Sequence, residues 1–370
     1  MSDVEDQGGQ AESQVYRCPE CMAEMHYDAT TQKLICDHCG AQKEIAHDEG
    51  EETIVEHDIA SGLAASKERG LGTEVRTVHC QECGATVSFP PTVIATECAF
   101  CGSSQVLEQS ANRNLIRPES VVPFRVDQNA ASSAFSQWLK GLWFRPSDLK
   151  KRAKVTEIGG VYVPYWTFDA HVDSSWTADA GYYYYEEEEY EDDEGEWHTR
   201  KVQKTRWKPA WGSRSDDFDD VLVCASKGLP EKLADNLSTF DTEKLKPYSA
   251  AFLTGWKAEE YAVELNEGWK RGVKKMKHKQ IDRCGRDVPG DTHRSLNVRN
   301  AFSKETFKHI LLPIWISAYR YKDKVFRFLV NGQTGEVVGK APWSAAKIIL
   351  FIMSLAAIIT GIVFAVRYFR

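Results

Sequence analysis

The chain is short of several things, and each shortage closes off a class of protein. No apolar run opens it: residues 1–14 are polar and acidic, so nothing resembles a signal peptide, and the amino end is expected in the cytosol. No Gly-x4-Gly-Lys-Ser/Thr occurs. The stretch 332–340 is glycine-rich, but its spacing is wrong and no hydroxyl follows Lys340, so nucleotide hydrolysis has no phosphate loop to stand on. Gly-x-Ser-x-Gly and His-Glu-x2-His are missing too, and no catalytic residue is assigned. Cations are scarce at the front. Residues 1–110 hold 6 Lys+Arg against 20 Asp+Glu, a net of −14, whereas the rest hold 46 − 6 = 40 basic and 54 − 20 = 34 acidic residues, a net of +6. A nucleic-acid backbone would repel that first third, so nucleic acid is not the expected partner. Residues 186–196 carry nine carboxylates and no cation. They lack the ligand spacing of a calcium loop and read as the solvated tip of a hairpin that returns over 197–207.

What is present begins with cysteine. Eight of the ten form two quartets, Cys18, Cys21, Cys36 and Cys39, then Cys80, Cys83, Cys98 and Cys101. Each quartet is two Cys-x2-Cys pairs separated by fourteen residues. Two thiolates three positions apart on a tight turn reach one ion from one side, and the second turn completes a tetrahedral cage. Disulfides would need an oxidising compartment, and a redox dithiol needs one pair rather than four. Two structural zinc ions are therefore expected, in closed cages without an open coordination position. Gly40, Gly84 and Gly102 follow three of the pairs, where a knuckle favours positive φ; Met22 breaks the pattern. His38 and His79 beside the ligands read as solvent-facing neighbours, and Cys224 and Cys284 as small buried apolar residues.

The second marked feature is Ile348 to Val366, nineteen residues without a charge and with only Ser354 and Thr360 polar. As a helix it spans roughly 28 Å, close to a bilayer's hydrocarbon core. Trp343 and Lys347 stand at one end, Arg367, Tyr368 and Arg370 at the other, as interfacial residues do. A buried core helix would show an apolar stripe, which is lacking. A single transmembrane anchor over 345–367 is expected, in the cell (inner) membrane with the bulk of the chain cytoplasmic. Flanking charge is even, Lys340 and Lys347 against Arg367 and Arg370, and does not set the orientation.

The expected fold class is α+β. It comprises a disordered 1–15, zinc ribbons over 16–45 and 77–110, an acidic linker 46–76, a linker 111–122, a β-rich body 123–342 and the anchor. A short helix is expected within 53–66. Within the body, Asp127 caps a helix carrying Ala131, Phe135, Trp138, Leu139 and Leu142. Trp166, Phe168, Ala170 and Val172 alternate with polar residues as a half-buried strand. Ile310 to Ala318 echoes Val161 to Ala170, with Pro313 and Trp315 matching Pro164 and Trp166, as an internal duplication would. A strand is expected over 220–226, a short helix over 231–240, and a hairpin turning at Asn331-Gly332.

The spacing of Ala258, Tyr261, Ala262, Leu265, Trp269, Val273 and Met276 predicts an amphipathic helix from Trp256 to about Ile281. Its cations Lys270, Arg271, Lys274, Lys275, Lys277 and Lys279 form an ordinary exposed face or, functionally, a membrane-surface contact. Asp287, Asp291 and His293 could bind a metal or move a proton, but a Pro-Gly turn with capping side chains is the commoner cause.

The two ribbons, Val163–Ala170, Val288-Pro-Gly-Asp-Thr-His293, Val330-Asn-Gly-Gln-Thr-Gly335 and the terminal anchor together resemble a bacterial family covering nearly the whole chain. Its members are membrane-anchored proteins with transcription-factor-IIB-type zinc ribbons, often labelled "primosomal protein N′ (replication factor Y), superfamily II helicase". Similar proteins are thought to accompany phage-shock-type and flotillin-like (SPFH) proteins in envelope stress. The resemblance implies a non-catalytic adaptor with a protein partner. A nucleic-acid-associated factor is the alternative, and a hydrolase built on the 287–293 cluster ranks last.

Overall fold

The computed structural model describes residues 16–45, 54–64, 70–71, 76–89, 97–110, 115–147, 149, 154–155, 158–191, 195–237, 239–321 and 324–368. The expected disordered segment 1–15, much of the acidic linker and Arg370 lie outside them.

The chain begins with a three-stranded antiparallel sheet, β1 (Met25–Asp28), β2 (Lys33–Cys36) and β3 (Gln42–Lys43). β4 (His57–Asp58) leads into α1 (Ile59–Ala64), the short helix expected there, and β5 (Arg76–Cys80), β6 (Thr86–Phe89) and β7 (Val106–Ser110) carry the second cysteine quartet. β8 (Ser120–Val121), α2 (Gln128–Gly141) and β9 (Lys154–Val155) precede two very long strands, β10 (Gly159–Glu191) and β11 (Trp197–Phe218). β12 (Val223–Cys224), α3 (Glu231–Asn236), β13 (Lys246–Pro247) and β14 (Lys257–Glu260) follow. The chain closes with α4 (Leu265–Asp287), β15 (Thr292–Tyr321), β16 (Lys324–Asn331), β17 (Val337–Gly339) and α5 (Ala345–Tyr368). Mixed α+β is the observed class, with a β-rich body and one apolar helix at the carboxyl-terminal side.

β10 and β15 are the axis. They pair antiparallel from Gly159↔Ile316 to Gly181↔Thr292, with register shifts at Asp169/His171 and Thr177/Asp179. At about 3.4 Å per residue, the 33 residues of β10 reach about 110 Å if extended. The echoed segments face each other here: Val163 lies opposite Leu312, Pro164 opposite Leu311 and Tyr162 opposite Pro313. They are thus related by a local two-fold through the Val163–Leu312 pair. Neither proline can donate to the ladder, but their carbonyls accept from Ala225 N–H (2.9 Å) and Gly332 N–H (2.8 Å).

Burial falls off along β10. Residues 161–168 are buried on both faces, 169–180 mostly on alternate positions, and 182–191 are largely exposed. The half-buried strand read from Trp166 to Val172 therefore holds only from Asp169 onward. One face carries Tyr162, Trp166, Phe168, Ala170, Val172 and Trp176, covered in turn by α2 with the first cysteine module and then by α4. The opposite face carries Val161, Val163 and Tyr165, covered by the second module and α3. Beyond Asp169 the residues of that second face are half-buried to exposed as far as Asp179. Glu191 then pairs with Trp197 across the end of the hairpin, where the acidic run was expected, and Lys204 lies 2.5 Å from Glu186 and 3.0 Å from Glu188.

Three sequence expectations are corrected. The helix expected from Trp256 begins only at Leu265. Lys257–Glu260 form β14, paired parallel to β10 and antiparallel to β6, because two sheet edges claim that backbone over the helical spacing of its side chains. The linker 111–122 ends in sheet: Ser120, Val121 and Val122 are buried, and β8 runs parallel to β15. The turn between β16 and β17 is longer than two residues. Gly335, at φ +79°, takes the left-handed position, while Gly332 is small because a Cβ there would lie 2.6 Å from Phe124.

The expected cap at Asp127 is present, accepting from Ala130 N–H at 2.7 Å, and Phe135 of α2 stacks on Phe328 with centroids 3.6 Å apart. α4 lies against β10 through glycines: a Cβ at Gly268 would be 2.6 Å from Trp166, and one at Gly272 2.7 Å from Phe168. Gly272→Ala should therefore lower thermal stability. Overpacking costs on the order of 1–3 kcal/mol, which outweighs the roughly 1 kcal/mol that alanine gains in an ordinary helix. A melt above that of the parent would show that the helix stands off the strand.

His309 is buried between Trp166 and Tyr261, and its Nδ1–H donates to Ile116 O at 2.8 Å. Burial, only partly offset by that bond, pulls its pKa from 6.5 to about 4. The folded state thus holds the neutral ring. Its contribution is complete above pH 6.5 and is lost as pH falls through 4, a change of about 3 kcal/mol at full protonation. His309→Gln should flatten that part of the stability-versus-pH curve relative to the parent, measured by denaturant titration.

Candidate metal centres

Each Cys-x2-Cys pair sits on the same backbone device. The N–H of the residue after the second cysteine bonds the carbonyl of the first: Met22 to Cys18, Gly40 to Cys36, Gly84 to Cys80 and Gly102 to Cys98, all at 2.9 Å. All four of these residues have positive φ, +62° at Met22 and +70° to +76° at the three glycines. The knuckle conformation therefore overrides the missing glycine at Met22, an exposed side chain with room for its Cβ.

The knuckles bring each quartet together. Cys18 Sγ lies 3.4 Å from Cys39 Sγ and Cys21 Sγ 3.4 Å from Cys36 Sγ. In the second quartet Cys80–Cys101 is 3.5 Å and Cys83–Cys98 3.6 Å. Within each quartet all four sulfurs lie within 4.8 Å of one another. A tetrahedral ion with metal–sulfur bonds of about 2.3 Å needs edges of about 3.8 Å, so the donors fit such an ion with small adjustment.

The thiol chemistry agrees. The N–H groups of Cys39 and His38 hold Cys36 down at about 6. Cys98 is held at about 5, first by the Cys83 thiol and then by the N–H groups of Phe100 and Cys101. The same Cys98 contact, together with burial, pushes Cys83 well up. One thiolate per cage is thus favoured, by backbone N–H groups at Cys36 and chiefly by the Cys83 thiol at Cys98, and ionising its neighbours requires a cation among them. Of the adjacent histidines, His38 is exposed and His79 bonds Thr86 Oγ1 at 3.0 Å. Cys224 and Cys284 are buried and belong to neither quartet, Cys224 lying in the core cluster that also holds Cys80 and Cys98.

Both modules are fastened to the body. The second shares its sheet, since β6 pairs with β14 and β14 with β10. The first docks through Tyr27, whose carbonyl accepts from Trp256 Nε1–H at 2.8 Å and whose N–H donates to Thr254 O at 3.0 Å. Trp256 in turn stacks on Phe124 at 4.0 Å.

The other candidates separate. On α4, Lys275 donates to Leu222 O and Asp235, and Arg271 pairs with Glu267, while Lys270, Lys274, Lys277 and Lys279 are exposed. Asp287, Asp291 and His293 do not converge. Asp287 accepts from Arg214 at 2.8 Å, Asp291 accepts from Tyr183 N–H at 2.8 Å, and His293 lies in β15 opposite Ala180.

A cluster not foreseen is Glu56, Asp169 and Asp219, whose oxygens lie within 4.8 Å of one another. The buried Lys308 ammonium is its cation, 3.0 Å from Glu56 and 2.9 Å from Asp220. Its parts come from four distant segments, which leaves no local signal. The root of α5 was also not foreseen as a site. Lys347 Nζ donates to Trp143 O at 3.1 Å, and Arg145 lies 3.8 Å over the Trp343 ring.

No family model matches the chain, and no solved structure matches it. Among curated proteins it is similar to the uncharacterized protein YdjG of Bacillus subtilis (strain 168), 28% identical over 342 residues, 92% of this chain and 94% of that protein. The likeness runs through the whole architecture rather than one cysteine module. It brings no activity with it.

The purified chain should carry two metal ions, and Cys36→Ser or Cys98→Ser should each reduce that to one, by elemental analysis. Hydrogen exchange should separate the two variants. Amides of Lys257–Glu260 lose protection in Cys98→Ser, whose module shares their sheet, and keep it in Cys36→Ser.

Proposed function

We propose that this is a membrane-anchored zinc protein that works as a non-catalytic adaptor. Zinc is the ion that four thiolates in a closed tetrahedral cage suit best, and the two modules are then zinc ribbons. Ions ligated four times by protein have no position for water or substrate. The carrying observation is that both cages are closed and built rigidly onto one body, which ends in a helix of 24 residues long and apolar enough to cross a bilayer.

In this reading α5 spans the cell membrane and the body lies on the cytoplasmic side. The ribbons and the β10–β11 hairpin present surfaces to a protein partner. Trp197 and Trp211 on that hairpin are 68% and 77% exposed, more than a solvated blade needs. The family resemblance supplies the partner class, an SPFH- or phage-shock-type envelope-stress assembly. The acidic first third disfavours nucleic acid.

Crosslinking in intact membranes followed by isolation of the full chain tests this. A protein partner should be recovered, and Trp197→Ala/Trp211→Ala should weaken its recovery at least several-fold, as loss of two anchor side chains does. Recovery of no protein, or of nuclease-sensitive material alone, would defeat the adaptor reading.

A further inference from the structure

Beside the first turn of α5 the surface opens into a pocket of about 470 Å³, within the size range of small-ligand sites. The end of α2 and the loop after it form one wall, and Lys347 of α5 closes the other. Among the described residues its lining holds three cations, Lys140, Arg145 and Lys347, the hydroxyl of Ser147, and no carboxylate. Two of the cations are fixed in place. Arg145 donates to Ala341 O at 2.5 Å and lies over Trp343, while Lys347 is held on Trp143 O. The loop is strapped to the helix by Ser344 N–H on Phe144 O (2.9 Å) and by Phe144 against Phe351 (5.3 Å).

The position of this pocket identifies its ligand. Lys347 is the last charged residue before the apolar run, and the indoles of Trp143 and Trp343, 79% and 66% exposed, flank it. Once α5 is in a bilayer, tryptophans and cations at that height lie among lipid headgroups. A phosphodiester there would meet three donors of positive charge, and its acyl chains would run down the fully exposed apolar side of α5. We propose that the pocket binds the headgroup of an anionic phospholipid from the leaflet that α5 enters. This rests on the anchor reading above and adds lipid selectivity to it. The exposed lysines of α4 are then ordinary surface charge.

The full chain is reconstituted into phosphatidylcholine vesicles containing phosphatidylglycerol, extracted in neutral detergent, and its retained lipid identified by native mass spectrometry. Phosphatidylglycerol should be enriched over phosphatidylcholine. Each basic residue beside an anionic lipid is worth about a fivefold preference, so K140Q/K347Q should cut the enrichment roughly twenty-five-fold. K270Q/K274Q on α4 should leave it intact. Equal retention of the two lipids, or undiminished enrichment in K140Q/K347Q, overturns the proposal. Displacement by inorganic phosphate also overturns it, and assigns the pocket to a free anion. Flotation separates the premises: a chain that floats with vesicles but shows no lipid preference loses only this proposal, and one that floats with none loses the anchor as well.

Discussion

The antiparallel pairing of β10 with β15 is the interaction on which everything else depends. It runs for more than twenty residues and brings main-chain groups more than a hundred residues apart into one ladder. The rest attaches by position along it. Near Gly159 both faces are covered, by α2 and the first cysteine module on one side and by the second module on the other. Midway α4 alone remains among the described residues, and beyond Gly181 the β10–β11 pair continues without further cover from them. The burial gradient is thus the order in which covering elements run out. It separates an apolar base from a charged, aromatic arm.

Charge follows the same plan. Carboxylates that look like chemistry in a one-dimensional reading are answered by cations from distant segments. Asp216 is gripped by Arg214 and Arg283 and held at about 2, Arg214 being the main cause. Burial pushes Asp169 up to about 6 in spite of the Asp220 N–H and of Lys308 nearby. These contacts join β11, α4 and the base of β10; Arg214 also pairs with Asp287, while Asp291 accepts from Tyr183 N–H.

Features whose cause is local were legible in the sequence. The cysteine quartets, the Asp127 cap, the α2 stripe and the apolar run of α5 each follow from spacing along a few turns of chain. So did the three knuckle glycines, and Met22 at the fourth knuckle shows that the turn forms without one. What stayed hidden has its cause across the chain. β14 reads as the start of a helix until two strands bind its edges, and β8 reads as a linker until β15 does so. The Lys308 cluster draws on residues 56, 169, 219–220 and 308, and the basic pocket at the root of α5 on two stretches some two hundred residues apart. No window along the sequence contains either.

β14 has a further consequence. Lys257 and Ala258 pair with β10, and Ala258 to Glu260 with β6, which belongs to the second cysteine module. If β6 peels away, one row of amides and carbonyls on β14 loses its complement while β10 keeps the strand flat and extended. An uncovered rim of that kind recruits whatever strand arrives next. Loss of that pairing would therefore turn a quiet seam inside the molecule into an adhesive border between copies.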